Sequence, residues 1–223
     1  MPFDLWQMLI ATCAVTALQG VIMLTLWARH PQATWLPWRA LIFLLGGSFL
    51  FLFAIDHPGL RQISIGLGTA TFIGATFAVW SSARVFNGKP VVWPALIVTI
   101  GLWAGLGIVM DTLDSLLPAA IVQSVAGFSW IGAGALEHWN ARRRGVRGQL
   151  GVTVLYGAVA LFFALRLPFV VSLPFPLGGL PMDETLLAVF ILGLDVAALL
   201  LTVATWLSLR AQGLEGKRPE VLR

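Results

Sequence analysis

The stretch "LAVFILGLDVAALLLTVATWLSLR", Leu187 to Arg210, decides the fold. Apart from Asp195 it carries no charge before its final arginine, and it exceeds the roughly 20 apolar residues that cross a bilayer core. It reads as a membrane-spanning helix. A carboxylate within it, with no basic residue inside a helical turn, is costly in lipid and implies an inward-facing, partnered position.

Working outward, the other apolar runs repeat the pattern. The chain has 223 residues, of which 58% are hydrophobic and 11% charged, a composition of polytopic membrane proteins rather than soluble domains. Segmentation at charges and prolines predicts an all-α, seven-transmembrane helix bundle. Its spans run approximately Leu5 to Ala28, Trp38 to Ile55, Ile63 to Ala83, Val91 to Met110, Leu116 to Leu136, Leu150 to Leu167 and Thr185 to Leu209. Residues 1–209 form one membrane domain and residues 210–223 a short tail.

The connectors fix the expected orientation. Twelve of the fourteen Lys and Arg residues, from Arg29 and Arg39 through Arg84, Lys89 and Arg142–Arg144 with Arg147 to Arg210, Lys217, Arg218 and Arg223, fall on one side. Asp4, Asp56, Asp111, Asp114, Asp183 and Glu184 fall on the other. By the positive-inside rule the basic side is cytoplasmic, so the N-terminus is expected outside and the C-terminus inside, in a bacterial inner membrane. The start lacks the basic flank of a cleaved signal and reads as an uncleaved first span.

Several chemistries are excluded by residue type. "GFSWIG" misses the second glycine of a nucleophile elbow by one position, and "FNGKP" lacks the upstream glycine and following hydroxyl of a phosphate loop. His30 and His138 lie at the basic edge, where histidines are usually solvated, and His57 at the opposite one, so they do not converge on a metal. No lysine in the last span is available for a retinal Schiff base. The run "ARRRGVRG" is accounted for by topology and anionic headgroups rather than nucleic acid. The reading is therefore of a non-enzyme with no catalytic, cofactor or metal residues.

Gln19, Gln123, Arg166 and Asp195 remain inside the spans, with scattered Ser and Thr. At about 1.5 Å per residue, Asp195 lies roughly 16 Å and Gln123 roughly 10 Å below the outer ends of their helices. Arg166 sits near the outer end of the preceding span, and its long side chain can reach inward. Asp195, Arg166 and Gln123 are thus the candidate intramembrane site, as a structural tie or as an outward-opening polar pocket. The glycines of "GLWAG", Gly101 and Gly105, with Gly66 and Gly68, are expected at close helix packing. The proline-broken connector after the sixth span is expected on the outer surface, as a semi-rigid crossover or a lid.

One element goes beyond what topology demands. "SARVFNGKP" places Arg84, Phe86, Gly88, Lys89 and Pro90 in an order that resembles the G-[LA]-R-x-F-x-G-[RK]-P signature closing the third span of the N-terminal seven-span membrane region of certain bacterial GGDEF diguanylate cyclases, with Ser82 in place of the usual glycine. The stretch from Trp35 to Pro90, the connector "NARRRGVRG" and the sixth span ending "ALRLP" are similar as well. The last span of that family often carries an acid, which Asp195 matches. The resemblance implies a sensory module that passes helix movement to a cytoplasmic output domain, to another protein, or to a second copy. The sequence contains no GGDEF stretch, so this chain alone is not expected to make cyclic di-GMP. A small transporter or channel subunit using Asp195, and a structural or assembly membrane protein, are the alternatives.

Overall fold

In a computed structural model, described here for residues 5–55, 60–110, 116–146, 149–174, 177–181 and 183–211, the chain is helical almost throughout. Helices α1 (Leu5–Arg29), α2 (Leu36–Ala54), α3 (Arg61–Phe86) and α4 (Trp93–Met110) are followed by a rod of α5 (Leu117–Ala126), a π-helical turn (Gly127–Ile131) and α6 (Gly132–Arg143). Then come α7 (Gln149–Arg166), a 3₁₀ turn (Leu167–Phe169) and α8 (Glu184–Ala211). Asp4, Asp56, Asp111, Asp114, Arg147, Lys217, Arg218 and Arg223, used above to assign orientation, and His57, weighed above as a metal ligand, lie outside the described residues.

Local chemistry accounts for several boundaries. Proline sits in the first turn of both α2 and α5, where its missing N–H has no intrahelical partner to lose. Helices α3 and α6 end on glycines in the left-handed region, Gly88 at φ 70° and Gly145 at φ 88°. At the first, the N–H of Gly88 donates to Val85 O at 3.0 Å and that of Lys89 to Arg84 O at 2.9 Å. At the second, Gly145 donates to Arg142 O at 2.9 Å and Val146 to Ala141 O at 3.2 Å. Both are Schellman caps, which satisfy last-turn carbonyls only because glycine tolerates that backbone.

Among the described residues, six helical segments are long and apolar enough to cross a membrane: Gln7–Arg29, Leu36–Phe53, Gln62–Phe86, Leu117–Arg143, Gln149–Phe169 and Glu184–Arg210. The fourth expected span is represented by the shorter apolar stretch Trp93–Ile108. The outer faces are those of a lipid-facing bundle, with Ile97 68%, Ile108 79% and Val189 63% exposed. Water would oppose so much exposed apolar surface, whereas lipid does not.

Contacts close these segments into a ring in the order α1, α2, α3, the α5–α6 rod, α7, α8 and back to α1. Helix α4 stands outside it, packed chiefly on α3 and tied there by Trp103 Nε1–H donating to Gly66 O at 2.9 Å. The π-helical turn lies where α7 comes close: a Cβ on Gly127 would stand 2.6 Å from the Phe163 ring.

The glycines expected to mediate close packing do so only in part. A Cβ built on Gly66, Gly101 or Gly105 meets nothing within 4 Å, whereas Gly68 faces Phe53. Close approach of α1 and α2 instead occurs at Gly20, against Leu44, and at Gly47, against Thr16. The connector after α7 is a compact fold rather than an open strap. Gly178 N donates to Pro174 O at 2.8 Å, Gly179 N to Val170 O at 2.8 Å and Leu180 N to Leu173 O at 3.1 Å.

Candidate functional site

The three expected polar residues do not come together. Asp195 on α8 accepts through Oδ2 from the Thr12 hydroxyl of α1 at 2.8 Å, so a threonine stands where Arg166 was anticipated. The Arg166 Nε–H donates to the carbonyl of Leu177 and pins the folded connector to the end of α7. Gln123 donates from Nε2 to Thr69 Oγ1 at 3.2 Å, joining α5 to α3. Partner choice explains the difference: Arg166 lies within its own connector's reach, and the ring sets α8 beside α1 as well as α7.

The "RVFNGKP" element has a clear structural office. Glu137 on α6, only 8% exposed, is held by Lys89 Nζ at 2.7 Å and 3.0 Å and by Arg84 Nη1 at 3.6 Å. Asn87 Nδ2 donates to the Glu137 carbonyl at 3.0 Å, and Arg144 Nη2 donates to Asn87 Oδ1 at 2.9 Å. Arg84 Nε–H closes the turn on Pro90 O at 2.8 Å. Phe86 packs between Trp35, with centroids 5.5 Å apart, and His138, also at 5.5 Å. With Gly88 capping α3, the signature clamps the turn before α4 to the end of α6.

The most unusual polar groups in the bundle are ones that sequence reasoning placed at its edge. Arg39, counted above as a flanking cation, and His138, read as solvated, each have 0% exposure. The Arg39 Nη1 donates to Thr205 Oγ1 of α8, and its guanidinium lies over the Trp35 ring at 4.6 Å. Its Nε and Nη2 have no hydrogen-bond partner. His138 shares a 2.8 Å hydrogen bond between Nδ1 and Gln149 Oε1. Because that amide oxygen only accepts, Nδ1 carries the proton and Nε2 is left as an unpartnered acceptor. Tyr156, 3% exposed, completes the layer with an unpartnered hydroxyl, its ring centroid 5.6 Å from that of His138.

A sequence signal for this layer existed. Arginine follows tryptophan by four residues at Trp35–Arg39, Trp80–Arg84, Trp139–Arg143 and Trp206–Arg210, and in each pair the guanidinium lies over the ring. Residues four apart share a helix face, so the spacing sets cation and ring together at a bilayer edge. Only at Arg39 is the arginine fully enclosed.

Next to the layer is a cavity of about 170 Å³, lined from every member of the ring: Thr16 of α1, Phe43 of α2, Thr76 of α3, Ile131 of the π turn, Tyr156 of α7 and Leu201 of α8 are among its walls. Its threonine hydroxyls are already used. Thr16 Oγ1 donates to Thr12 O at 2.8 Å, and Thr76 Oγ1 lies 3.0 Å from Ile73 O. The interior is therefore almost wholly apolar apart from Tyr156. Among the described residues no group of three or more His, Cys, Asp or Glu side chains is arranged to hold a metal ion.

No protein-family model, curated protein or solved structure matches this chain.

Proposed function

We propose that the chain is an integral membrane sensory module of seven spans, α4 being the short one, with its N-terminus outside and its C-terminus in the cytoplasm of a bacterial inner membrane. A small molecule entering the central cavity would shift α8, and α8 would carry the movement to an output domain, a partner protein or a second copy. The observation that carries this reading is the cavity itself, to which all six ring members contribute. Helix α8 is also the least embedded candidate span, with 17% of its apolar window buried, against 50% for α3. It is held loosely enough to respond.

The apolar lining weighs against ion conduction, which needs polar groups in series along a path. Asp195 faces Thr12, and the cavity wall nearest to it in sequence is Leu194 and Ala197. The resemblance of "SARVFNGKP" to the membrane regions of diguanylate cyclases supports the same sensory class, and the clamp it forms would hold α3 and α6 fixed while α8 moves.

The test is a fusion of the full chain to a diguanylate cyclase output domain placed after α8. Filling the cavity by Ala198→Leu or Ala75→Val should change cyclic di-GMP output several-fold at unchanged membrane levels. Output indifferent to both substitutions would sink the sensory reading, and indifference to Asp195→Asn would remove that carboxylate from the mechanism.

A further inference from the structure

The buried cation lies close to the apolar cavity along the helices that carry it. Arg39 lies one helical turn before Phe43 on α2, and Thr205 one turn beyond Leu201 on α8, while Phe43 and Leu201 both line the cavity. Tyr156 belongs to the cavity wall and lies within electrostatic reach of Arg39. Arg39 itself is not among the residues that line the cavity; the arginine layer lies beyond its wall, and Tyr156 is the residue common to both.

That layer is electrostatically incomplete. Both ion pairs found among the described residues end on Glu137, and neither involves Arg39. A buried charge without a partner is costly, and the Thr205 hydroxyl and the Trp35 face offset only part of this. The two guanidinium nitrogens left over, Nε and Nη2, form one edge of the planar group. That edge sends two parallel N–H bonds to the two oxygens of a single carboxylate. Tyr156 adds one O–H donor, while neutral His138 presents only an acceptor and takes no part in holding an anion. One guanidinium balances one negative charge, which fits a carboxylate better than a doubly charged phosphate. At the opposite end Asp195, with its own unpartnered Oδ1, would repel the anion, so the headgroup is directed to the Arg39 end.

We propose that Arg39 and Tyr156 bind the carboxylate of a small amphipathic acid, with one ring or a short alkyl chain, whose apolar part fills the central cavity. The size follows from comparison: a dry cavity of about 150 Å³ lined by aliphatic and aromatic side chains accepts benzene, and this one measures about 170 Å³. The inference rests on reading the cavity as a ligand site. It is tested by binding to the purified chain rather than by signalling output, so either idea can fail alone.

The experiment uses the full chain in lipid nanodiscs, titrated with benzoate and hexanoate, their uncharged counterparts benzyl alcohol and hexan-1-ol, and palmitate. Tryptophan fluorescence reports occupancy, because Trp35 stacks on Arg39. Benzoate or hexanoate should bind saturably, at least tenfold more tightly than its alcohol. Loss of a charge-assisted bond should make Arg39→Met bind roughly 10- to 100-fold more weakly, and loss of a neutral one should make Tyr156→Phe roughly 2- to 10-fold weaker. Ala198→Leu should weaken binding by narrowing the cavity. No saturable binding of either small acid, alcohols binding as tightly as acids, or binding of palmitate alone would each overturn the proposal. If Arg39→Met does not fold, unchanged affinity in Tyr156→Phe and Ala198→Leu together would overturn it as well.

Discussion

Glu137 and Arg39 are both charged, both buried and both at the basic end of the bundle, yet their surroundings differ in kind. Glu137 faces Lys89, Arg84 and the amide of Asn87, so its charge is answered from within the chain. Arg39 has one hydroxyl and one ring face, and two of its nitrogens are unanswered. The first arrangement has what a lock needs. The second has what a binding site needs, because a group left expensive in the empty protein lends its unmade hydrogen bonds to whatever enters.

The comparison can be broken from the side of the lock. Glu137→Ala should lower the unfolding free energy by about 1.5–3 kcal/mol, the range for hydrogen bonds to charged groups; the partial exposure of Lys89, 41% for its side chain, keeps the loss below that of a wholly buried pair. Unfolding of the purified chain in mixed micelles measures it, and an unchanged midpoint would show that the cluster is ornamental. A smaller effect sharpens the same side. Gly88→Ala forces a side chain into the left-handed backbone at φ 70° and should cost about 1–2 kcal/mol, read in the same titration. Nothing lies within 4 Å of the added Cβ, so any larger loss would mean that the turn itself had moved.

The helices were legible because apolar runs bounded by charge and proline leave little choice in lipid. The span expected over Ile63 to Ala83 is the interior of α3, Arg61–Phe86, and most other boundaries differ by similar margins at frayed or capped ends, but the fifth, expected to end at Leu136, continues to Arg143 and so takes Glu137 and His138 into the helix. The fifth span reads as one helix, but its π-helical turn was hidden, since "GFSWI" has no distinctive local preference and the turn accompanies the packing of Phe163 on Gly127.

The site was much less legible. Trp35–Arg39 and Trp206–Arg210 are the same local pattern, and nothing near them in sequence says that one arginine is enclosed and the other exposed. What encloses Arg39 is its place in the bundle, with Thr205, 166 residues away, as its hydrogen-bond partner. Asp195 stood out because it interrupts an apolar run, but its partner Thr12 is an inconspicuous residue 183 positions distant. A lone charge in a span is thus visible from sequence, whereas its partner is not.

The central claim is that Arg39 lacks an internal counterpart, and the most direct measurement is the unfolding free energy of Arg39→Met in detergent with no organic acid present. The account predicts a value equal to the wild type or higher, by analogy with the gain of up to about 4 kcal/mol seen when apolar residues of similar volume replace buried ion pairs. A loss of about 3–5 kcal/mol, the cost of breaking a satisfied buried pair, would contradict it.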